Sequence, residues 1–256
     1  MTEPGSSQQP GSSQQRDAPL QGRTVVVIGG SSGIGRETAR LAGAEGADVV
    51  LVGRDPERLR DAASDVRAAG TVAFDATDPE RLQRFFDGLP GPVDHVMVTA
   101  GSNYYARLAD LDFAEAQRQV DEHLWLPIRI ARAAAARMPA GGSLVFMGGT
   151  GARRPALGLA VSSPLTVALP ALVAVLALEL APVRANLIAA GFVDTPLSAR
   201  LLGDQLERRR EELRGSLPIG RVVQPGDVAA LALHLMANTA VTGATFDIDG
   251  GQQFTG

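Results

Sequence analysis

The stretch TVVVIGGSSGIGRE, residues 24–37, decides the fold. Its first half, TVVVIG (24–29), is a continuous β-branched run, the pattern of a strand buried on both faces of a sheet. Its second half is glycine-rich and opens a helix expected from Gly33 to about Glu45. The three spaced glycines have separate physical jobs. Gly29 permits a tight turn out of the strand, Gly33 lets the backbone approach a pyrophosphate, and Gly35 lets the helix pack closely. The helix start adds N–H groups without intrahelical partners and a positive potential, which suits an anion. Glycine spacing alone is common; the strand before it and the helix after it give it meaning.

The same alternation runs outward along the chain. Strands are expected at 48–53, 71–74, 95–101, 142–148, 183–191 and 244–251. Helices are expected at 56–70, 78–89, 112–137, 163–181, 197–214 and 225–237. Strands alternating with helices predict one α/β domain, a Rossmann-like doubly wound parallel sheet with helices on both faces. Its expected bounds are 22–256. Residues 1–21 read as a flexible Gly/Ser/Gln/Pro tail, because PGSSQQ (4–9) is repeated over 10–15 and offers nothing to bury. No apolar segment follows a basic start, so the tail is not a signal peptide.

Composition narrows the classes further. The chain has 256 residues, a net charge of −4 and 45 % hydrophobic residues. This acidic balance argues against nucleic acid or an anionic membrane as the main partner. Cysteine is absent, so no disulfide or thiolate metal site exists, and His95, His123 and His234 are too scattered for a metal motif. The expectation is a cytoplasmic protein with a small-molecule substrate and no metal. All 24 basic residues are arginine; there is no lysine. The two tyrosines, Tyr104 and Tyr105, are neighbours.

The end of the second strand bears on the dinucleotide. A binder of NAD usually presents Asp or Glu there for the ribose 2′-OH. Here Gly53 is followed by Arg54, and a guanidinium suits a 2′-phosphate, so NADP(H) is the expected cofactor.

From residue 22 onward the sequence resembles the short-chain dehydrogenase/reductase family. GGSSGIG (29–35) matches its cofactor loop, FDATD (74–78) its adenine-contacting turn and VTAG (98–101) its Asn-Asn-Ala-Gly strand end. LALELAPVRANLIAAGFVDTPL (176–197) is similar to its segment beside the nicotinamide, and VTGATFDIDGG (241–251) to its C-terminal signature. The resemblance implies a cofactor set of Gly29, Ser31, Ser32, Gly33, Ile34, Gly35, Arg54, Asp75, Ala76, Thr99, Ala100, Gly101, Val193 and Thr195.

The family's catalytic residues do not carry over. Its Tyr position falls on Ser162, its Lys on Thr166, its strand-end Ser on Gly149 and its helix Asn on His123. With no lysine in the chain, no Tyr-x-x-x-Lys exists here. What is lost is proton delivery, worth about 10²–10⁴-fold; hydride donation belongs to the nicotinamide. Candidate replacements are Tyr104, Tyr105, His123 and Ser162. Each has a structural reading beside the catalytic one. The tyrosines would form a wall or anchor a loop, His123 would sit satisfied in a core, and Ser162 or Ser163 would cap a helix with Pro164 at its first turn. Arg153 and Arg154 lie near the substrate mouth, either solvated or attracting an anion.

The expected function is an NADP(H)-dependent oxidoreductase of a small carbonyl or hydroxyl substrate, with a non-standard proton source. The alternatives are an inactive NADP(H)-binding protein and a non-redox lyase or isomerase. The run PLTVALPALVAVLALEL (164–180) is apolar nearly all round, which predicts burial against another subunit in a homodimer or homotetramer. Pro170 within it predicts a kink or break.

Overall fold

The computed structural model describes residues 19–255. Of the tail expected over 1–21, residues 1–18 lie outside the described residues. Leu20 does not behave as tail: it is fully buried. Its carbonyl accepts from Arg23 N–H at 3.0 Å, so the packed domain has begun by that point.

Seven parallel strands form one sheet in the order β3-β2-β1-β4-β5-β6-β7. They are β1 (Thr24–Ile28), β2 (Asp48–Gly53), β3 (Gly70–Ala73), β4 (His95–Val98), β5 (Ser143–Gly149), β6 (Arg184–Ala190) and β7 (Thr245–Ile248). The helices are α1 (Gly33–Ala44), α2 (Pro56–Val66), α3 (Pro79–Asp87), α4 (Phe113–Val120), α5 (Leu126–Ala135), α6 (Ser162–Glu179), α7 (Pro196–Leu202), α8 (Leu206–Ser216) and α9 (Pro225–Ala237). Strand β1 shows why both faces are covered. Val25 and Val27 enter the core shared with α1, α2 and α9, while Val26 and Ile28 enter the core shared with α3, α5 and α6. Strand order reverses between β1 and β4, and the carboxyl ends of these two strands open a crevice at that switch point.

Three expected helices need correction. The segment 112–137 is interrupted: α4 and α5 are joined by a π-turn over Asp121–Trp125. The segment 197–214 is divided at Gly203, whose φ is +50°. The break expected at Pro170 is absent, since α6 runs through it from Ser162 to Glu179.

Helix α6 is also long and apolar enough to span a bilayer by length and composition. Its place in the chain decides otherwise. It links β5 to β6, two neighbouring parallel strands, so it must fold back along the sheet as a crossover. Leu169, Val173 and Leu176 are buried there, and Val167, Val175 and Leu178 are left exposed.

The base of the sheet is held by one buried cation. Arg184 donates to the carbonyls of Leu235, Met236 and Asn238 at 2.7–3.0 Å, closing the C-terminal end of α9. The negative end of the helix dipole makes this a favourable place for a guanidinium. Nearby His95 lies buried, with Nδ1 2.9 Å from Ser143 Oγ. Burial, helped by Arg184 and Arg23 against the pull of Asp94, pushes its pKa down to about 4.

Candidate active site

The crevice is a cleft of about 780 Å³, and every residue of the expected cofactor set borders it. Its phosphate end is shaped by absent side chains. Gly29 turns out of β1 with φ +96°, and a Cβ there would meet Ala100 N at 2.6 Å. A Cβ on Gly35 would lie 2.3 Å from the Gly29 carbonyl oxygen, so only glycine lets α1 start this close to the strand. Gly33 differs: with φ +53°, its Cβ position has nothing nearer than Thr195, 3.6 Å away. That space is the backbone cradle into which a pyrophosphate fits. Ser32 at the N-cap makes no side-chain cap, and no acid sits in the first turn of α1, so its positive end is left for an anion.

Neighbouring elements brace this cradle. Thr99, at the end of β4, donates from Oγ1 toward the Ile28 and Gly29 carbonyls at 3.3 and 3.2 Å. Thr195 caps α7, its Oγ1 accepting from Ser198 N–H at 3.2 Å.

At the other end stand Arg54 and Arg58, both bordering the cleft. The sequence reading missed Arg58, although its spacing of four residues from Arg54 was a usable signal. The acid beside them, Asp55, is occupied in capping α2, accepting from Glu57 and Arg58 N–H at 2.9 and 3.2 Å. Two guanidiniums and a committed carboxylate favour a phosphate over a bare ribose hydroxyl. Asp75 lies close by. Burial opposes its charge, but hydrogen bonds from Thr77 N–H and hydroxyl, with Arg54 and Arg81, hold it below the usual carboxylate range. These residues fit a phosphorylated nicotinamide dinucleotide.

The chemical end is arranged differently. Ser162 is no cap: it is the first residue of α6, is 7 % exposed, and its hydroxyl lies 3.2 Å from the Tyr104 carbonyl. Gln119 completes a closed set. With its amide turned so that each atom meets a complement, it accepts from the Ser162 hydroxyl at 3.1 Å and from Tyr104 N–H at 3.2 Å. It then donates to the Tyr104 carbonyl at 3.2 Å. The hydroxyl hydrogen of Ser162 is thus engaged inside the protein.

Tyr104 does not border the cleft; its hydroxyl accepts from Asp112 N–H at 2.8 Å and anchors the loop. Tyr105 does border it, half exposed, with its phenol pushed up by burial. His123 sits in the π-turn with Nε2 2.8 Å from the Ser102 carbonyl. Its ring lies against Gly101, where a Cβ would come within 3.2 Å of Cε1.

The residue before it was not foreseen. Glu122 is 6 % exposed and borders the cleft, and Ser102 N–H and hydroxyl both donate to its Oε2 at 2.7 Å. Consecutive residues of one π-turn therefore hold all three polar groups of Ser102. The helical spacing of Gln119, Glu122 and His123 carried part of this signal. That Ser102 would be their partner is a tertiary fact.

The two arginines expected near the mouth do not border the cleft. Arg153 forms a paired hydrogen-bonded bridge to Asp247 at 2.7 Å, and Arg154 donates to the Gln253 carbonyl. Among the described residues there is no His/Cys/Asp/Glu cluster able to hold a metal ion.

A seven-stranded doubly wound sheet with a glycine-shaped phosphate cradle at its switch point defines a dinucleotide-binding fold. A family model described as enoyl-(acyl carrier protein) reductase matches residues 28–253. The chain belongs to the short-chain dehydrogenase/reductase family. It is 29 % identical to short-chain dehydrogenase/reductase ATR9 of Stachybotrys chlorohalonatus, covering 91 % of this chain and 97 % of the relative. Among solved structures, the MalC reductase/Diels-Alderase of Malbranchea aurantiaca superposes with a TM-score of 0.85 at 25 % identity, covering 93 % of this chain and 99 % of that one. BdcA, solved in complex with NADPH, gives a TM-score of 0.82 at 27 % identity, covering 91 % and 95 %.

Proposed function

We propose that this protein is an NADP(H)-dependent oxidoreductase of a small molecule, with proton handling that differs from its family's. The observation that carries this is the intact cradle: the open Cβ position of Gly33 facing Thr195, in front of an uncapped α1. The NADPH complex of the structurally similar BdcA supports the cofactor, and Arg54 with Arg58 supports its phosphorylated form. When bound, the nicotinamide supplies hydride.

The chain's own residues do the rest. Backbone N–H groups of α1 hold the pyrophosphate, and Arg54 and Arg58 grip the 2′-phosphate. Thr99 ties the ends of β1 and β4 together under the dinucleotide. Apolar side chains including Leu165, Leu169 and Phe192 exclude water from the inner cleft. The hydroxyl of Ser162 is engaged by its own partners, which leaves Tyr105 and His123 as the remaining candidate proton donors bordering the cleft. The exposed stripe of Val167, Val175 and Leu178 on α6 pairs with a second copy, giving a homodimer or a homotetramer.

Calorimetric titration with NADPH and NADH tests the cofactor reading, and NADPH oxidation across a panel of small acceptors tests the activity. Binding of NADPH at least about tenfold tighter than NADH is expected. Equal affinity, or turnover of no acceptor, would overturn the reading.

A further inference from the structure

We infer that the inner cleft binds a substrate carrying a cationic nitrogen, an iminium, with Glu122 as the counter-charge. The inference rests on the proposed oxidoreductase reading and names its substrate class. Its first support is proton bookkeeping. Reducing a carbonyl leaves an alkoxide that must be protonated, and the groups at the family's acid positions are a serine whose hydroxyl donates to Gln119, and a neutral threonine. Reducing a C=N⁺ bond has no such need. The hydride from a reduced nicotinamide forms the C–H bond with its own electron pair. The C=N π pair becomes the nitrogen lone pair, and the positive charge is cancelled. No proton changes hands.

The second support is electrostatic and independent of the first. Of the ionisable residues bordering the cleft, Glu122 is the one that is buried; Arg54, Asp55, Arg58, Asp75, Tyr105 and Arg200 are exposed, and His123 and Arg209 are partly buried. Both donors from Ser102 fall on Oε2, so Oε1 has no hydrogen-bond partner among the described residues. Oε1 keeps some contact with solvent, but a carboxylate this deeply buried is poorly hydrated, and a cation beside it offsets that cost. With Leu165, Leu169 and Phe192 around it, the site suits an apolar ring bearing one positive nitrogen.

The test is a binding measurement. Protein saturated with NADP⁺ is titrated by calorimetry with protonated 1,2,3,4-tetrahydroisoquinoline and with isochroman, its neutral oxygen isostere. The cation is expected to bind at least about tenfold tighter, and Glu122→Gln is expected to erase that gap. The wild-type comparison needs no variant, so it stands even if Glu122→Gln loosens the Ser102 loop. Equal or tighter binding of isochroman, or a full gap retained in Glu122→Gln, would overturn the inference. Failure of NADP⁺ to bind would instead overturn the cofactor reading beneath it.

Discussion

The two ends of the cleft share one set of strand termini but are built by opposite means. The phosphate end is defined by what is missing: Cβ atoms at Gly29, Gly33 and Gly35, and a side-chain cap at Ser32. The chemical end is defined by what is present, a set of side chains that bond to one another around Ser102, Tyr104 and Ser162. The family's cofactor geometry therefore survives where backbone makes it. At the chemical end no Tyr-x-x-x-Lys is present; instead Glu122 and His123 bond Ser102, and Gln119 bonds Ser162 and Tyr104. Backbone geometry tolerates few substitutions, whereas a side-chain network can be replaced by any other that satisfies its polar atoms.

The largest test of this contrast is Gly35→Ala. The new Cβ would press on the Gly29 carbonyl oxygen, backbone against backbone. A loss of about 3 kcal/mol or more is expected in denaturant unfolding, with loss of NADPH binding. A fully stable variant would show that the cradle is not held by close packing.

Next in size is an acid effect that must be kept apart from the site. The folded pKa of His95, about 4, lies below the ordinary value of 6.5. The unfolded chain therefore binds the extra proton first. Stability from the neutral histidine is complete above about pH 6.5 and is lost progressively as pH falls toward 4, by about 3 kcal/mol. Urea unfolding across that range should show the loss, and His95→Asn should flatten it. A slope unchanged in His95→Asn would move the effect to another group.

A smaller change is expected from Arg54→Ala combined with Arg58→Ala. NADPH affinity should fall by about 1.5–3 kcal/mol, while NADH affinity stays the same. A parallel loss for both cofactors would mean that these arginines support the loop and do not select the phosphate.

The smallest is Ser162→Ala, at about 1 kcal/mol of stability for the lost hydrogen bonds. Turnover of any substrate should fall by less than about tenfold, against the 10²–10⁴-fold typical of a general acid. A larger fall in turnover with unchanged cofactor affinity would put proton transfer back on the family's Tyr position.

How much of this was legible beforehand follows the same division. The parallel sheet with both faces covered and the glycine turn after its first strand could be read, because glycine spacing and β-branched runs are local signals; Arg58 could not. At the chemical end the absences were legible and the replacements were not. That lysine is missing is a fact of composition. That the Ser162 hydroxyl faces the Tyr104 carbonyl, 58 positions away, depends on α6 being laid beside the loop after β4. The capping expected of Ser162 failed for the same reason, since a buried tertiary partner displaced a local one. The sequence predicts continuous helices over 112–137 and 197–214 because periodicity registers neither a π-turn nor a single glycine at positive φ.

The sequence by itself determined the parallel α/β sheet, the glycine turn after its first strand and the absence of any Tyr-x-x-x-Lys. Each of these is written in residues a few positions apart, or in composition. Only the tertiary structure decided that Tyr104 is an anchor, that Ser162 is sequestered, that Arg58 joins Arg54, and that Glu122 borders the cleft with one oxygen unpartnered. Those facts are contacts between distant segments. The packing of α4, α6 and the π-turn against the strand ends sets them, and no local pattern encodes that geometry.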